Sequence, residues 1–187
     1  MKKVVFVGLG MAAAIAASAG IGYAAGVSGP VPSASALNAE AIKLLIPENI
    51  KWGPAAGLPG TDSYTVTGDP AKPGFYIVLN RFHPGNFSRP HYHANDRHVL
   101  VLSGTWWADT GAKWDPENRT VPIKAGTYAL HTGREVHYDG ARSGGEPAIV
   151  AIFGEGPGSR HECEGPTAEK DGPCAEARKA SGVPPLK

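Results

Sequence analysis

His91-Tyr-His-Ala-Asn-Asp-Arg-His98 places three histidines and an arginine within eight residues. His91 and His93 are two apart and lie beside a run of strand character. Side chains at i and i+2 leave the same face of a strand, with Cα atoms about 6.6 Å apart. Two neutral imidazoles placed this way can converge on one ion at metal–nitrogen distances of about 2.0–2.1 Å. An HxH pair is a common accident, so it needs a partner from elsewhere in the chain. His131, at the end of TYALH, and His137, in EVHY, form a second group. The turn at Gly133 lets a following strand carry one of them back towards the first pair. Nitrogen ligands suit Fe, Zn, Mn, Ni or Cu, and three of them leave positions open for water or substrate.

The elements that must hold these residues are short strands. DSYTVTG, GFYIVLNRF, RHVLVLSGTWWA, TVPIKAGTYALH, REVHYDG and PAIVAIFG are β-rich runs separated by Gly and Pro. Their even spacing predicts an all-β sandwich or barrel, and no helical run is long enough for βαβ crossovers. VLVL is apolar on both faces, which suits a central strand between a filled interior and another packed layer. Before the strands, Asn38 to Leu45 is expected to form one short helix, stopped by Pro47. From Gly154 onward the chain reads as an irregular extension.

The histidine pattern resembles the cupin family, the small double-stranded β-helix or jelly-roll barrel. The first cupin motif is matched by Gly85, His91, His93 and Gly104. The second is similar to Pro122-Ile-Lys-Ala-Gly126 followed by His131-Thr-Gly133 and His137, with His137 one residue later than the motif expects. The likeness spans about Trp52 to Pro157 and implies a metal held by His91, His93 and His137. It fails at the acidic ligand. Counted from Gly104 that slot holds Arg97, and counted from His93 it holds His98. Arg97 stays protonated and has no lone pair to offer a metal. Turned inward, it would repel a divalent ion yet suit a substrate carboxylate or enolate oxygen. His98 turned inward would instead be a fourth imidazole. Neighbouring residues point to opposite faces of a strand, so only one of the two can enter.

Among the aromatic residues, Trp106-Trp107 can send only one ring inward, as a substrate wall or a core residue. Tyr92 and Tyr138 are candidate proton donors, with packing as the alternative. No G-x-S-x-G elbow is present, which argues against a serine nucleophile. Cupins include dioxygenases, isomerases, decarboxylases and lyases as well as sensors, so the fold does not fix the reaction. The expectation is a metal-binding cupin acting on a small oxygenated organic substrate, with dioxygenase chemistry as the nominal reaction. The competing readings are a non-catalytic ligand-binding or sensory cupin and a metal-free barrel.

Two lysines followed by a long apolar, Ala-rich run give residues 1–36 the layout of a signal peptide and linker, and an uncleaved membrane anchor is the alternative. A periplasmic or secreted protein follows, with the barrel at residues 37–157 and a polar extension at 158–187. The net charge of +1 becomes −1 without Lys2 and Lys3, leaving no basic excess for nucleic acid. The two cysteines, Cys163 and Cys174, both lie in the extension and suit a disulfide, with His161 and Cys163 as soft metal ligands the alternative. A homodimer through the outer sheet is implied by the resemblance.

Overall fold

The computed structural model describes residues 33–186. The expected signal segment lies outside the described residues up to its last few positions. Residues up to Leu44 form one unit and those from Leu45 onward a second. The first unit holds a 3-10 turn at Ala34–Ala36 and a turn in which Ala41 N and Ile42 N donate to Asn38 O at 3.0 and 2.9 Å. The helix expected over Asn38 to Leu45 does not form. Helix nucleation is costly, and Leu37, Ile42 and Leu44 remain 44–51% exposed, so no packing offsets that cost.

The second unit opens with a 3-10 turn at Pro47–Asn49 and continues in short strands. These are β1 (Gly53–Pro54), β2 (Thr61–Thr67), β3 (Gly74–Phe82), β4 (His91–Tyr92), β5 (Arg97–Ser103), β6 (Thr105–Thr110), β7 (Val121–Lys124), β8 (Tyr128–His131), β9 (His137–Gly140), β10 (Ala148–Gly156) and β11 (His161–Glu162). They assemble into a six-stranded sheet, β1-β2-β3-β10-β5-β8, and a five-stranded sheet, β11-β4-β9-β6-β7. All pairings are antiparallel. No named strand pairs across the two sheets among the described residues, so a closed barrel is not formed.

Alternation fills the space between the sheets. Tyr76 and Phe82 of β3, Val99 and Val101 of β5, and Val150 and Ile152 of β10 turn inward and meet Trp106 of β6. Burying each of these aliphatic or aromatic side chains contributes about 1.5–3 kcal/mol. Gly104 passes the chain from one sheet to the other at φ 70°, where a Cβ would stand 2.3 Å from Pro147 O. A side chain there would force the junction apart.

The extension is more regular than its composition suggests. Strand β10 runs to Gly156, β11 joins the edge of the five-stranded sheet, and α1 (Gly172–Ala180) ends the chain's regular structure. Pro173 in its first turn and Arg178 and Lys179 in its last suit a short helix. A disulfide joins Cys163 to Cys174, both fully buried. The expected irregular extension was a misreading: too few apolar residues mark this helix, because the disulfide supplies its core.

Candidate metal centre

Strands β4 and β9 lie side by side, with His91 directly opposite His137. His93 follows two residues after His91 on the same face. One ligand-capable atom of each of the three residues lies within 4.8 Å of the others, and ring centroids are 4.5–5.4 Å apart. All three rings are buried.

Their tautomers are set by the backbone. His91 Nδ1 donates to Arg89 O at 2.7 Å and His137 Nδ1 to Glu135 O at 3.0 Å. His93 Nδ1 donates to Ser159 O through a short contact. With the proton on Nδ1, each ring presents the Nε2 lone pair. His93 Nε2 and His137 Nε2 are buried and have no hydrogen-bond partner. A buried polar atom without a partner costs about 1–3 kcal/mol, so such a pair fits a cation rather than empty space. A carbonyl behind each ring is also how metal-bound histidines are held.

Burial keeps these rings neutral. It pushes His93 down to about 2, with Arg97 next in effect. It lowers His137 to about 4, partly opposed by Asp139. His91 also falls well below the usual histidine range, through burial first and then His137. Neutral imidazole is the form that binds a metal.

The chain turns so that Arg97, not His98, enters. Arg97 shares the inner face of β5 with Val99 and Val101. Its Nη2 donates to His131 Nδ1 at 3.2 Å, and its Nε is buried without a partner. Burial lowers its pKa to about 10, with Asp139 opposing, and the guanidinium stays charged at neutral pH. His98 is corrected as a ligand candidate. It lies on the outer face, with Nδ1 2.8 Å from Tyr128 Oη and its ring 5.3 Å from that of Phe153.

Tyr138 is also displaced from its expected role as a proton donor in the cavity. Alternation on β9 turns it away from His137, and Oη donates to Asp109 Oδ2 at 2.9 Å while accepting from Asp115 N at 3.3 Å. Burial, followed by the Asp109 bond, pushes its pKa up to about 12. Tyr92 likewise faces away from the cavity. Of the tryptophan pair, Trp106 turns inward and Trp107 lies outside under Arg142.

Asp139 is a buried acid beside the histidines. It is 5% exposed, with Oδ2 3.9 Å from His137 Nε2, and forms with His131 and His137 a second group able to hold a metal. His-Tyr-Asp over 137–139 repeats the i, i+2 spacing of His-Tyr-His over 91–93. Applied to the second stretch, the same rule would have found it. His131 is opposite Arg97 in the β5–β8 pairing, and its ring centroid is 3.9 Å from that of His137.

The cavity in front of these groups has a volume of about 360 Å³. His91, His93, Arg97, His131, Asp139 and Arg160 line its polar side. Tyr76, Val78, Phe82, Trp106, Val150 and Ile152 form apolar walls. Arg160 is paired with Glu162, with Nη2 to Oε2 at 3.3 Å and a shorter contact from Nε to Oε1.

Among solved structures, the polyketide cyclase RemF from Streptomyces resistomycificus is similar, with a TM-score of 0.51 and 16% identity over 63% of this chain and 83% of that one. A sugar phosphate isomerase from a cupin superfamily of Silicibacter pomeroyi gives 0.48 and 19%, covering 64% and 80%. A cupin-like protein from Thermotoga maritima gives 0.47 and 19%, covering 70% and 92%. No family model and no curated protein matches the chain. At these identities the likeness concerns fold alone. The two antiparallel sheets share the fold of the polyketide cyclase chain, and the histidine and aspartate clusters can coordinate a divalent metal ion.

Proposed function

We propose that this chain is a metal-dependent cupin that acts on a small organic anion, with dioxygenase chemistry as its reaction type. One observation carries the metal reading: His93 Nε2 and His137 Nε2 are buried, unpartnered and aimed together, with carbonyls fixing their tautomers. His91, His93 and His137 would hold the ion, and Asp139 would balance its charge or join them as an oxygen ligand. When bound, iron would supply dioxygen-dependent oxidation, whereas zinc or nickel would polarise a carbonyl or a water.

The remaining roles belong to the chain's own residues. Arg97 carries a fixed positive charge with an unused Nε, which supports a role in anchoring a substrate carboxylate or enolate oxygen. His131 holds Arg97 Nη2 and so orients the guanidinium. The apolar walls suit the carbon body of the substrate and keep bulk water from it. A disulfide supports export to the periplasm or beyond.

His93→Ala should abolish metal uptake, measured by elemental analysis, while leaving the β-sheet circular dichroism intact; unchanged metal content would sink the metal reading. Arg97→Gln should weaken carboxylate binding in calorimetry, and equal affinity would rule out the anchor. Oxygen uptake by the Fe(II)-loaded protein across a panel of small carboxylates tests the reaction type; no uptake with any of them speaks against a dioxygenase.

A further inference from the structure

The strand that carries His91, and ends one residue before His93, has little support of its own. β4 is two residues long and meets β9 at a single residue pair. Its other edge is covered by β11, where His161 faces Tyr92 and Glu162 faces His91. Cys163 N donates to Pro90 O at 2.9 Å and extends that pairing by one bond.

The same segment also reaches both sides of the ligands. On the cavity side, Ser159 O accepts the His93 Nδ1 proton and Ser159 Oγ accepts from Ala94 N at 2.8 Å. On the far side, Tyr92 and Val136, the neighbours of His93 and His137, pack on Cys163 and Cys174 with Ala177 against them. Tyr92 Oη donates to Glu169 Oε2 at 2.6 Å, and Glu169 Oε1 lies 2.6 Å from His161 Nδ1. The Tyr92 and His161 rings stack at 4.5 Å. This cluster is separate from the cavity and no step of the proposed reaction uses it.

We infer that the segment 158–180, tied together by the Cys163–Cys174 bond, positions the metal ligands, so that metal retention depends on that bond. The inference rests on the metal reading above. The disulfide confines Cys163, which follows β11, and Cys174, in α1, to one place. Tyr92 then has a fixed surface to lie on, and its neighbours His91 and His93 have a fixed aim. Opening the bond frees β11, Ser159 and Glu169 together, and the His93 tautomer loses its carbonyl. Residues 159, 161 and 169 are positioning residues; none of them is a ligand.

The test uses full-length protein and Co(II) as the probe, read by its visible absorption and by titration. Wild type is compared before and after reduction by a phosphine, which is then removed. In that step the phosphine, the Cys163–Cys174 disulfide and one water become phosphine oxide and two thiols. Reduction, and the Cys163→Ala/Cys174→Ala variant, should each weaken Co(II) binding by about 10–100-fold and alter the spectrum. Glu169→Ala should shift binding in the same direction, and Glu169→Gln, which still accepts from Tyr92, should restore part of it. The Glu169 pair decides the matter if the cysteine variant fails to fold, as judged by circular dichroism. Tight Co(II) binding with one unchanged spectrum in all forms overturns this inference and leaves the metal reading standing. No Co(II) binding by oxidised wild type overturns both.

Discussion

His-Tyr-His over 91–93 and His-Tyr-Asp over 137–139 are the same device built twice. In each, two polar groups turn inward and a tyrosine between them turns away. What differs is the backing. Tyr138 is held by its own sheet: β9 pairs with β6 along four residues, and Asp109 of β6 accepts its hydroxyl. Tyr92 is held by a distant segment, through Glu169, His161 and the disulfide. One half of the centre is therefore fixed by the sheet, the other by the C-terminal extension. Residues in a long strand pairing are held by many bonds at once, whereas a two-residue strand is only as rigid as what flanks it.

The largest effect should come from the residue that both candidate clusters share. His137 belongs to the cluster with His91 and His93 and to the cluster with His131 and Asp139. His137→Ala should lower metal affinity by at least about a hundredfold, because the histidine set then falls below the three protein ligands of an open centre. Asp139→Asn should cost less, about tenfold, by removing the charge that offsets Arg97. Titration with Co(II) ranks the two, and a larger loss at Asp139 would shift the ion towards the second cluster.

Acidification should act on both halves of the metal-free protein. Folding holds His93 at about 2 and His137 at about 4, whereas unfolded histidine titrates near 6.5. Below about pH 6.5 the unfolded chain therefore binds more protons than the folded one, and stability falls as pH drops through that window. Each histidine contributes at most about 1.4 kcal/mol per pH unit. The urea midpoint should be lower at pH 5 than at pH 7.5, and His93→Gln should flatten the slope. A midpoint independent of pH across that range would mean the rings are charged in the folded state.

The two tyrosines separate stability from positioning. Tyr138→Phe removes bonds to Asp109 of β6 and to Asp115 in the loop after it, and should cost about 1–2 kcal/mol of global stability, with metal affinity changed by less than about twofold. Tyr92→Phe should cost less stability but more affinity, since the bond it loses ties β4 to the extension. Urea unfolding and Co(II) titration of the same two proteins check this. Equal losses in both would erase the distinction between sheet-held and extension-held ligands.

The strand alternation, the cysteine pair and the same-face pairing of His91 and His93 could be read from spacing, whereas His137 as their partner was implied by the cupin resemblance. Each of the first three follows from a local rule, applied to residues whose chemistry is distinctive. Asp139 obeys the same i, i+2 rule from His137, but it stands outside the acid slot that the resemblance puts after His93. The support given by Ser159 and Glu169 had no local signal. It depends on a fold-back of the extension across some 70 residues, which polar composition hides. The helix expected over Asn38 to Leu45 failed for the opposite reason: local helix preference was present, but Leu37, Ile42 and Leu44 stay exposed.

The smallest effect should come from His98. The sequence left Arg97 and His98 as rivals for one slot, and strand parity decides between them. Val99 and Val101 are fully buried in the core, so Arg97, two residues earlier, must share their face. His98 then takes the face of Leu100 and Leu102, the latter 46% exposed. Reversing the choice would need a one-residue slip of β5, exposing both valines and losing about 3–6 kcal/mol of burial. Asp96 fixes the approach to the strand by accepting from Gly133 N at 2.7 Å, next to His131 at the end of β8. His98→Ala should therefore change Co(II) affinity by less than about twofold and leave its spectrum as it is, because a side chain on the far face of the strand cannot reach the ion. A tenfold loss would place His98 among the ligands and require β5 to be shifted by one residue.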